Sequence, residues 1–374
     1  MIYLDNASTT HKKPIEVIKA VNLAITKFSA NPGRSGHNLS LETAVEVAKT
    51  RENLCKYFNC EKPEHVIFPS GCTESLNLAI LGTAKAGGHV IATVFEHNSS
   101  LRPLFELEKE GVIELSIVSP KNKEKITRQD IEPHIKENTY LIVSTHVSNV
   151  DGAETDIENI GKLCKENNIL YLVDAAQSAG HKKIDMQKNN INFLALAGHK
   201  GLYGIQGVGA LLINGNTLPK PIKFGGTGTQ SISVYQPTEA PECFESGTIA
   251  TPNILSLNAG LNFVKKHEKE IEEKERKLTA YTINQLKKIN DIIVYTSEKN
   301  LNGVIAFNHI NYDSSEIADF LNTKGICVRS GLECAPLKHK FLGTEKTGIV
   351  RISLSFFTKK FEIDCLISAL REIK

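Results

Sequence analysis

The stretch Tyr171-Leu-Val-Asp-Ala-Ala-Gln-Ser-Ala-Gly180 runs from apolar residues into a small, polar loop, and it decides the fold. A second apolar run, Phe193 to Ala197, ends shortly before Lys200. Short apolar runs followed by such loops are typical of strands that are buried on both faces of a parallel sheet. Because ligands bind at the carboxyl ends of these strands, we expect Asp174 and Lys200 at one edge of the sheet.

Similar apolar runs upstream predict further strands, and the polar stretches between them predict helices. The predicted strands are His65–Phe68, His89–Val94, Ile113–Val118, Tyr140–His146 and Ile169–Val173. One of the predicted helices between them is Ile157–Asn167. This alternation is typical of βαβ units, so the sequence predicts an α/β fold with a mostly parallel sheet covered on both faces.

The pattern changes from about Ile254. Phe263–Lys288 is rich in Glu and Lys, with apolar residues at seven-residue spacing, which predicts a long amphipathic helix. Strands are predicted after it at Gly303–Asn308, Ile326–Val328 and Ile349–Leu354. We therefore predict a large domain over residues 15–255 and a small α+β domain made of residues 1–14 and 256–374.

Composition limits the classes of partner. The 374 residues include 44 basic and 42 acidic side chains, so a nucleic acid or a membrane surface is not expected as the main partner. No apolar run approaches the roughly 20 residues that cross a bilayer. The first ten residues carry an acid at Asp5 and no basic region before an apolar stretch, which argues against a signal peptide.

Eight cysteines are scattered over the whole length without a Cys-x-x-Cys pair. In a chain of this size, that pattern indicates free thiols in a reducing cytoplasm and gives no support to a metal site. We therefore expect a cytoplasmic protein without a bound metal.

Asp174 and Lys200 have the chemistry of a pyridoxal phosphate (PLP) site. A carboxylate at the end of a buried strand must be paired, and one suitable partner is a protonated pyridine nitrogen. A buried lysine beside His199 is suited to imine formation. Each residue alone also permits a simpler interpretation, with Asp174 as a helix N-cap and Lys200 as a surface lysine.

Several motifs together resemble the class V aminotransferase family, in particular its cysteine desulfurase and selenocysteine lyase branch. The motifs are Tyr3-Leu-Asp-Asn-Ala-Ser-Thr-Thr10, Ser70-Gly-Cys-Thr-Glu-Ser75, Glu96-His97-Asn98, His146-Val-Ser-Asn149, Asp174-Ala-Ala-Gln177, Gly198-His199-Lys200, Glu245-Ser-Gly-Thr248, Arg329-Ser-Gly-Leu-Glu-Cys334 and Val350-Arg351. The resemblance runs nearly end to end. It implies a PLP-dependent transferase of fold type I that acts as a homodimer.

The resemblance also implies a role for each matching residue. Lys200 would hold PLP as a Schiff base, and the other cofactor contacts would come from Cys72, Thr73, His97, Asp174, Gln177, His199 and the second subunit's Thr248. Asn149 and Arg351 would hold the substrate carboxylate. The small residues of Ser70–Ser75 agree with a phosphate at a helix N-terminus, although a simple turn capped by Thr73 is the alternative.

Cys334 determines the reaction that is predicted. It lies in the loop Arg329–Pro336, and Lys338, His339 and Lys340 follow it closely enough to favour a thiolate. The spacing resembles the short-loop type of the family. The implied activity is release of sulfur from L-cysteine as a Cys334 persulfide with formation of L-alanine. The persulfide would pass to an acceptor thiol, which could belong to a protein.

Three residues depart from the family's pattern. Ala197 replaces a common Ser or Thr, Ile205 replaces a common Pro, and Glu333 replaces a common His. A carboxylate beside a thiolate disfavours the thiolate by like-charge repulsion unless Glu333 points away. These departures bear on the choice of substrate more than on the cofactor.

Three alternatives stay open at this point. A selenocysteine lyase or another PLP-dependent C–S or C–Se lyase would use the same scaffold. A PLP-bound protein without turnover could serve as a scaffold for sulfur-transfer partners. A nucleotide-binding protein would need a glycine-rich loop, but the glycines at 204, 207 and 209 have the wrong spacing and no helical run follows them.

Overall fold

The computed structural model of the chain describes residues 1–121 and 124–373. Its strands are β1 (Ile2–Tyr3), β2 (Val66–Ile67), β3 (Gly88–Thr93), β4 (Ile113–Val118), β5 (Lys125–Ile126), β6 (Thr139–Thr145), β7 (Glu154–Thr155), β8 (Leu170–Asp174), β9 (Phe193–Ala197), β10 (Gly209–Ile213), β11 (Ile292–Val294), β12 (Val304–His309), β13 (Ile326–Cys327), β14 (Arg329–Gly331) and β15 (Ile349–Ser353). Its helices are α1 (Ile15–Thr26), α2 (Asn38–Phe58), α3 (Cys72–Gly82), α4 (Asn98–Lys109), α5 (Arg128–Ile131), α6 (Ile157–Glu166), α7 (Thr251–Leu286), α8 (Ser314–Thr323), α9 (Pro336–Leu342) and α10 (Lys360–Leu370).

A seven-stranded sheet in the order β2-β10-β9-β8-β6-β3-β4 forms the centre of the larger half of the molecule. β4, β3, β6, β8 and β9 are parallel, whereas β10 is antiparallel to both β9 and β2. The prediction of an α/β fold with a mostly parallel sheet is therefore confirmed.

Both faces of this sheet are covered, and alternation along each strand divides its side chains between two cores. On β8, Val173 packs with residues of α6 and α7, whereas Leu172 packs on the opposite face with residues of α3 and α4. Both side chains are fully buried. Burial of each such side chain is worth about 1.5–3 kcal/mol, so the strands are held rigidly and their ends are fixed points for a site.

A second, antiparallel sheet has the order β11-β12-β15-β14 and packs against α8 and α10. The start of the chain lies on this half of the molecule, because β1 pairs in parallel with β13. Helix α7 runs without a break through position 255, so both halves of the molecule share it. The predicted division at residue 255 stays a prediction.

Three local predictions differ from the structure. The long helix begins at Thr251, before the predicted Phe263, because Ile254, Leu257 and Leu261 continue its buried face onto the large sheet. His65 belongs to a 3₁₀ turn (Pro63–His65), which leaves only Val66–Ile67 as a strand. Strand β10 was not predicted, because its five apolar residues follow a glycine-rich stretch that resembles a loop.

In the two described segments, 1–121 and 124–373, none of the helices combines the length and apolar character that a bilayer crossing requires.

Candidate active site

A cavity of about 150 Å³ opens at the carboxyl edge of the seven-stranded sheet. It brings together eight of the predicted site residues, namely Cys72, Thr73, His97, Asn149, Asp174, Gln177, His199 and Lys200. They come from the ends of β6, β8 and β9 and from the N-termini of α3 and α4, as expected for an open α/β sheet. Arg351, Cys334 and Thr248 lie outside the cavity lining.

Asp174 is the last residue of β8 and is only 4% exposed. Its Oδ1 accepts a hydrogen bond from the backbone N–H of Ala176 at 2.8 Å and one from the thiol of Cys72 at 3.4 Å. A turn follows Asp174 instead of a helix, so the N-cap interpretation is wrong. The carboxylate is held by its own loop and lines the cavity.

Lys200 lines the same cavity, so the surface-lysine interpretation is also wrong. Burial lowers the pKa of Lys200, while the Asp174 carboxylate and the Cys72 thiol oppose that shift. The backbone beside it is fixed by Thr10, whose N–H and hydroxyl both donate to the carbonyl of His199, at 3.1 and 3.0 Å. A fixed, partly desolvated amine is suited to act as a nucleophile and as a base.

The N-terminus of α3 presents its first amides to the cavity. Gly71 is the N-cap, and no side chain caps the helix, so the alternative with Thr73 as N-cap is wrong. Thr73 instead forms a hydrogen bond with Ser99 between their hydroxyl oxygens, at 2.8 Å. Uncapped amides at a helix N-terminus are a ready site for a phosphate. Gly209 allows this loop to lie against β10, since a Cβ there would stand 2.5 Å from the Gly71 carbonyl carbon.

His97 is the N-cap residue of α4, where its Nδ1 accepts from the backbone N–H of Ser99 at 3.0 Å. Burial lowers the pKa of His97, so its ring is neutral at physiological pH. Accepting through Nδ1 leaves the ring proton on Nε2. Burial also lowers the pKa of His199 to about 4.

Glu96 lies directly behind His97 and is fully buried. Its carboxylate accepts from the hydroxyl of Thr93 at 2.7 Å and from the backbone N–H and hydroxyl of Thr145 at 2.9 and 2.8 Å. Burial raises the pKa of Glu96 to about 7, although these three hydrogen bonds oppose the shift. Glu96 thus ties the loop that carries His97 to the end of β6.

Arg351 borders the cavity through Asn149. Its Nη1 donates to the backbone carbonyl of Asn149 at 3.0 Å, and its Nη2 donates to Asp5 at 2.8 Å and to Ser8 at 2.9 Å. Within the described part of the chain, Arg351 Nε and Asn149 Oδ1 are buried polar atoms without a hydrogen-bond partner. Arg351 Nε can therefore donate to a carboxylate and Asn149 Oδ1 can accept from an ammonium group, which are the two charged groups of an α-amino acid.

Cys334 is exposed and lies in the loop between β14 and α9. Its backbone carbonyl accepts from the backbone N–H of Asn98 at 2.7 Å. Since Asn98 follows His97 directly, this bond places the thiol-bearing loop at the rim of the cavity. The side chain of Glu333 is fully buried and therefore points away from the exposed thiol.

The expected cationic surroundings of Cys334 are wrong for two of the three residues. Lys338 is fully buried, with its Nζ 2.8 Å from Asp151 Oδ2, and His339 is fully buried, with its Nε2 3.0 Å from Glu333 Oε2. Both side chains on α9 point into the interior because buried carboxylates bind them there. Only Lys340 is exposed.

Thr248 lies away from the cavity on an exposed segment, where Asn31 Nδ2 donates to its hydroxyl at 3.5 Å. Its role across a subunit interface stays a prediction. The sequence reasoning missed Asp5, Ser8, Ser99 and Thr145. Asp5 and Ser8 lie within the quoted motif Tyr3–Thr10, and Thr145 lies in the predicted strand Tyr140–His146 next to its end, so their positions in the sequence were a usable signal for these three residues.

Comparison with known proteins gives consistent results. The model of the aminotransferase class-V family matches residues 2–366. A probable cysteine desulfurase of Pyrococcus abyssi is 33% identical over 384 residues, covering 100% of this chain and 94% of the relative, and a cysteine desulfurase of Cronobacter sakazakii is 32% identical over 384 residues, covering 100% and 93%. The apo structure of a cysteine desulfurase from Thermococcus onnurineus is similar, with a TM-score of 0.93 and 30% identity over 100% of this chain and 94% of the other.

Proposed function

Since this chain belongs to the class V aminotransferase family, we propose that it is a PLP-dependent cysteine desulfurase that releases sulfur from L-cysteine and forms L-alanine. The family is PLP-dependent, and relatives at about 30% identity over the full chain carry the name cysteine desulfurase. One observation carries the proposal. The Asn98 N–H to Cys334 carbonyl bond holds an exposed thiol at the rim of the cavity that contains Lys200 and Asp174.

The residues present fit PLP. Asp174 is a buried acceptor for a protonated ring nitrogen, and the uncapped N-terminus of α3 is suited to the phosphate. His199 Nδ1 is buried without a partner among the described residues, so it has a hydrogen bond left to form with the phosphate. Lys200 would attach the cofactor, His97 would lie against its ring, and Gln177 would bind its phenolic oxygen. When bound, PLP supplies an electron sink for bonds at the substrate's α-carbon.

Arg351 would bind the substrate carboxylate through Nε, and Asn149 would contribute the one Nδ2 proton that the Glu333 carbonyl does not accept. Arg351 is only 3% exposed and already fixed by Asn149, Asp5 and Ser8, so little side-chain entropy is lost when a carboxylate binds to Nε. A carboxylate held there would place the substrate at the cavity that Lys200 lines. Lys200 Nζ, whose pKa is lowered by burial, then takes the α-proton.

Cys334 takes the sulfur. Its thiolate attacks the substrate's sulfur atom, so that an S–S bond forms while the Cβ–S bond of cysteine breaks. The β-carbon is reduced to the methyl group of alanine, and the two sulfur atoms are each oxidised to the persulfide level. The overall change is therefore balanced: L-cysteine and the Cys334 thiol give L-alanine and a Cys334 persulfide. An acceptor thiol, which could belong to a protein, would then take the outer sulfur.

The assembly is part of the same proposal. Thr248 lies outside the cavity of its own chain, and a homodimer would let it reach the phosphate of the second subunit. All eight cysteines are free thiols, which agrees with a reducing, cytoplasmic setting.

The test is incubation of the PLP-loaded protein with L-cysteine, followed by intact-mass analysis, peptide mapping and measurement of alanine. The expected result is an added sulfur atom on Cys334 with one alanine per sulfur released. Alanine formed without an adduct on Cys334 would overturn the persulfide mechanism. A protein whose visible absorbance is unchanged by added PLP would overturn the whole proposal.

Parallel reactions with L-selenocysteine separate the alternative lyase. A selenocysteine lyase that eliminates selenium directly keeps its turnover in the Cys334→Ala variant. A desulfurase loses cysteine turnover in that variant.

A further inference from the structure

We propose that Glu333 and His339 form a buried positioning pair, which holds the Cys334 loop in register with the substrate-binding residues Asn149 and Arg351. This inference rests on the proposed function, because it assigns the two residues to the sulfur-transfer step. Neither side chain touches the cavity, so both would act through the position of Cys334.

The pair itself is fully enclosed. Glu333 Oε2 lies 3.0 Å from His339 Nε2, and neither side chain has any exposed surface. The second ring nitrogen of His339, Nδ1, is 2.9 Å from the hydroxyl of Thr344. A buried carboxyl group and a buried imidazole that are hydrogen-bonded to each other hold each other in place more strongly than an exposed pair would.

The backbone above the pair needs such an anchor. Glu333 and Cys334 have φ angles of 41° and 58°, in the left-handed region that non-glycine residues rarely adopt. This conformation turns the Glu333 side chain inward and the Cys334 thiol outward. Two hydrogen bonds at 2.7 Å hold the same turn, from Asn149 Nδ2 to the Glu333 carbonyl and from the Asn98 N–H to the Cys334 carbonyl.

Asn149 links this turn to the substrate site. Its side chain binds the Glu333 carbonyl, while its own carbonyl accepts from Arg351 Nη1 at 3.0 Å. The helix that carries His339 is fixed to the same region, because Lys338 Nζ lies 2.8 Å from Asp151 Oδ2 and 3.9 Å from the centre of the Phe95 ring. The distance between the thiol and the bound substrate therefore depends on how the buried pair seats the loop.

The chain offers a matched control. His181 and Glu275 form a second His–Glu pair, with 2.7 Å between Nδ1 and Oε2, and their side chains are 13% and 3% exposed. This pair joins α7 to the loop after β8, and the His181 ring lies against Gly201, beside Lys200, so a disturbance there should affect both reactions alike. Removal of either His–Glu pair should therefore lower the stability of the fold to a similar extent. Only removal of Glu333 or His339 should also displace the Cys334 thiol.

The experiment compares holoenzyme variants in two reactions. Exchange of the α-hydrogen of L-alanine in D₂O, followed by NMR, needs the Lys200 site but not Cys334. Single-turnover formation of the Cys334 persulfide from L-cysteine, followed by mass spectrometry, needs both. The variants are Glu333→Ala, Glu333→Gln and, as the control, Glu275→Ala. A double Glu333→Leu/His339→Leu variant replaces the pair by apolar contacts, so it keeps the test available if Glu333→Ala fails to fold.

We expect Glu333→Ala and the double leucine variant to lose about 30-fold in persulfide formation, because displacing a reacting group by about 1 Å has costs of that order. Alanine exchange should stay within about twofold of the wild type. Glu333→Gln keeps a hydrogen bond to His339 and should recover most of the rate. Glu275→Ala should lower the melting temperature while leaving the ratio of the two rates unchanged.

Three results would overturn the inference. The first is unchanged persulfide formation in both variants that remove the pair, and the second is an equal fall of alanine exchange and persulfide formation in them. The third is that Glu275→Ala lowers the ratio of persulfide formation to alanine exchange as much as Glu333→Ala does.

The alkylation rate of Cys334 relative to the exposed Cys365 gives a measurement that is independent of turnover. It should change at least about fivefold in Glu333→Ala and not in Glu275→Ala, since thiol reactivity follows the local surroundings. A wild-type enzyme that exchanges alanine but forms no persulfide refutes the desulfurase proposal, and the alkylation ratio alone then decides the positioning role.

Discussion

The cavity around Lys200 and the loop around Cys334 prepare their reactive groups in opposite ways. Lys200 lies at the end of a sheet that is buried on both faces, and burial lowers its pKa. Cys334 is exposed, and its position depends on a left-handed turn held by Asn98, Asn149 and the buried side chain of Glu333. In the cavity, burial sets the protonation state of the Lys200 amine. In the loop, the hydrogen bonds of the left-handed turn set the position of the Cys334 thiol.

Each region also contains a buried glutamate directly before one of its predicted site residues, His97 in the cavity and Cys334 in the loop. Glu96 precedes His97 and is bound only by neutral donors, from Thr93 and Thr145. Glu333 precedes Cys334 and is bound by the ionisable side chain of His339. Burial raises the pKa of both carboxyl groups, but only at Glu333 does an imidazole, that of His339, oppose the shift through a hydrogen bond.

The largest expected effect tests the cavity. Lys200→Ala removes both the attachment point for the cofactor and the base, so alanine formation should fall by about 10⁴-fold or more. The protein should also lose the visible absorbance of the attached cofactor, which a spectrum of the purified variant measures. Cys334→Ala is the matched comparison, since it should keep the absorbance and lose only sulfur transfer. Substantial turnover by Lys200→Ala would show that another amine attaches the cofactor and acts as the base.

A second prediction compares two thiols, one from each region. Burial and the neighbouring Asp174 carboxylate raise the pKa of Cys72 well above its ordinary value, and the Cys72 side chain lines the cavity floor. Cys334 is exposed on its loop. Because the thiolate is the reactive form and needs access, iodoacetamide should label Cys334 about 10³-fold faster than Cys72 in the native apoprotein. Peptide mass mapping over time measures the ratio, and in denaturant the two rates should converge. Equal native rates would contradict the difference between the regions.

A third prediction concerns Arg351, which connects the two regions. A lysine cannot reach Asn149, Asp5 and Ser8 together and still donate to a carboxylate, so Arg351→Lys should lower kcat/KM for L-cysteine about 100-fold. Most of the loss should appear in KM, because the carboxylate is bound throughout the reaction. Arg329→Lys is the control: Arg329 is paired with Arg351 across β14 and β15 but is exposed, and its replacement should have little effect. Equal losses in the two variants would argue against a carboxylate site at Arg351.

The sequence predicts the cavity better than the loop, for a physical reason. Strand ends such as Asp174 and Lys200 are placed by a periodic pattern, and parallel strands bring their carboxyl ends to one edge. From the sequence, Lys338 and His339 are expected to be surface cations near Cys334, because charged residues on a short polar stretch are usually exposed. Asp151, the partner of Lys338, lies on the loop after β6 and is far away in the sequence. Glu333, the partner of His339, is close in the sequence, but it reaches the ring through a left-handed turn at Glu333 and Cys334 that these residue types do not predict. The start of α7 was missed for the same reason, since the large sheet that covers its first turns lies far away in the sequence.

The smallest predicted effect tests whether the buried Glu96 becomes charged at high pH without a cationic partner. The pKa of Glu96 is raised from an ordinary 4.5 to about 7 in the folded state, so the folded protein binds this proton more tightly than the unfolded chain. The resulting stabilisation is fully present below pH 4.5 and is lost as the pH rises through 7. At pH 8 the folded state must hold the charged carboxylate, at a cost of at most about 3 kcal/mol.

Glu96→Gln removes this cost. The amide oxygen can accept from the Thr93 hydroxyl and the Thr145 N–H, while the amide NH₂ can donate to the Thr145 hydroxyl. These hydrogen bonds do not titrate, so their strength cancels when two pH values are compared. Between pH 5 and pH 8 the free energy of unfolding of the variant should therefore rise by about 2 kcal/mol relative to the wild type. Urea unfolding at the two pH values measures it. Glu114→Gln, at an exposed glutamate that pairs with Lys136, is the control and should show no gain. If the stability of the Glu96→Gln variant has the same pH dependence as that of the wild type, the pKa of Glu96 is not raised by burial. Glu96 and Glu333 would then not differ in the way that their hydrogen-bond partners suggest.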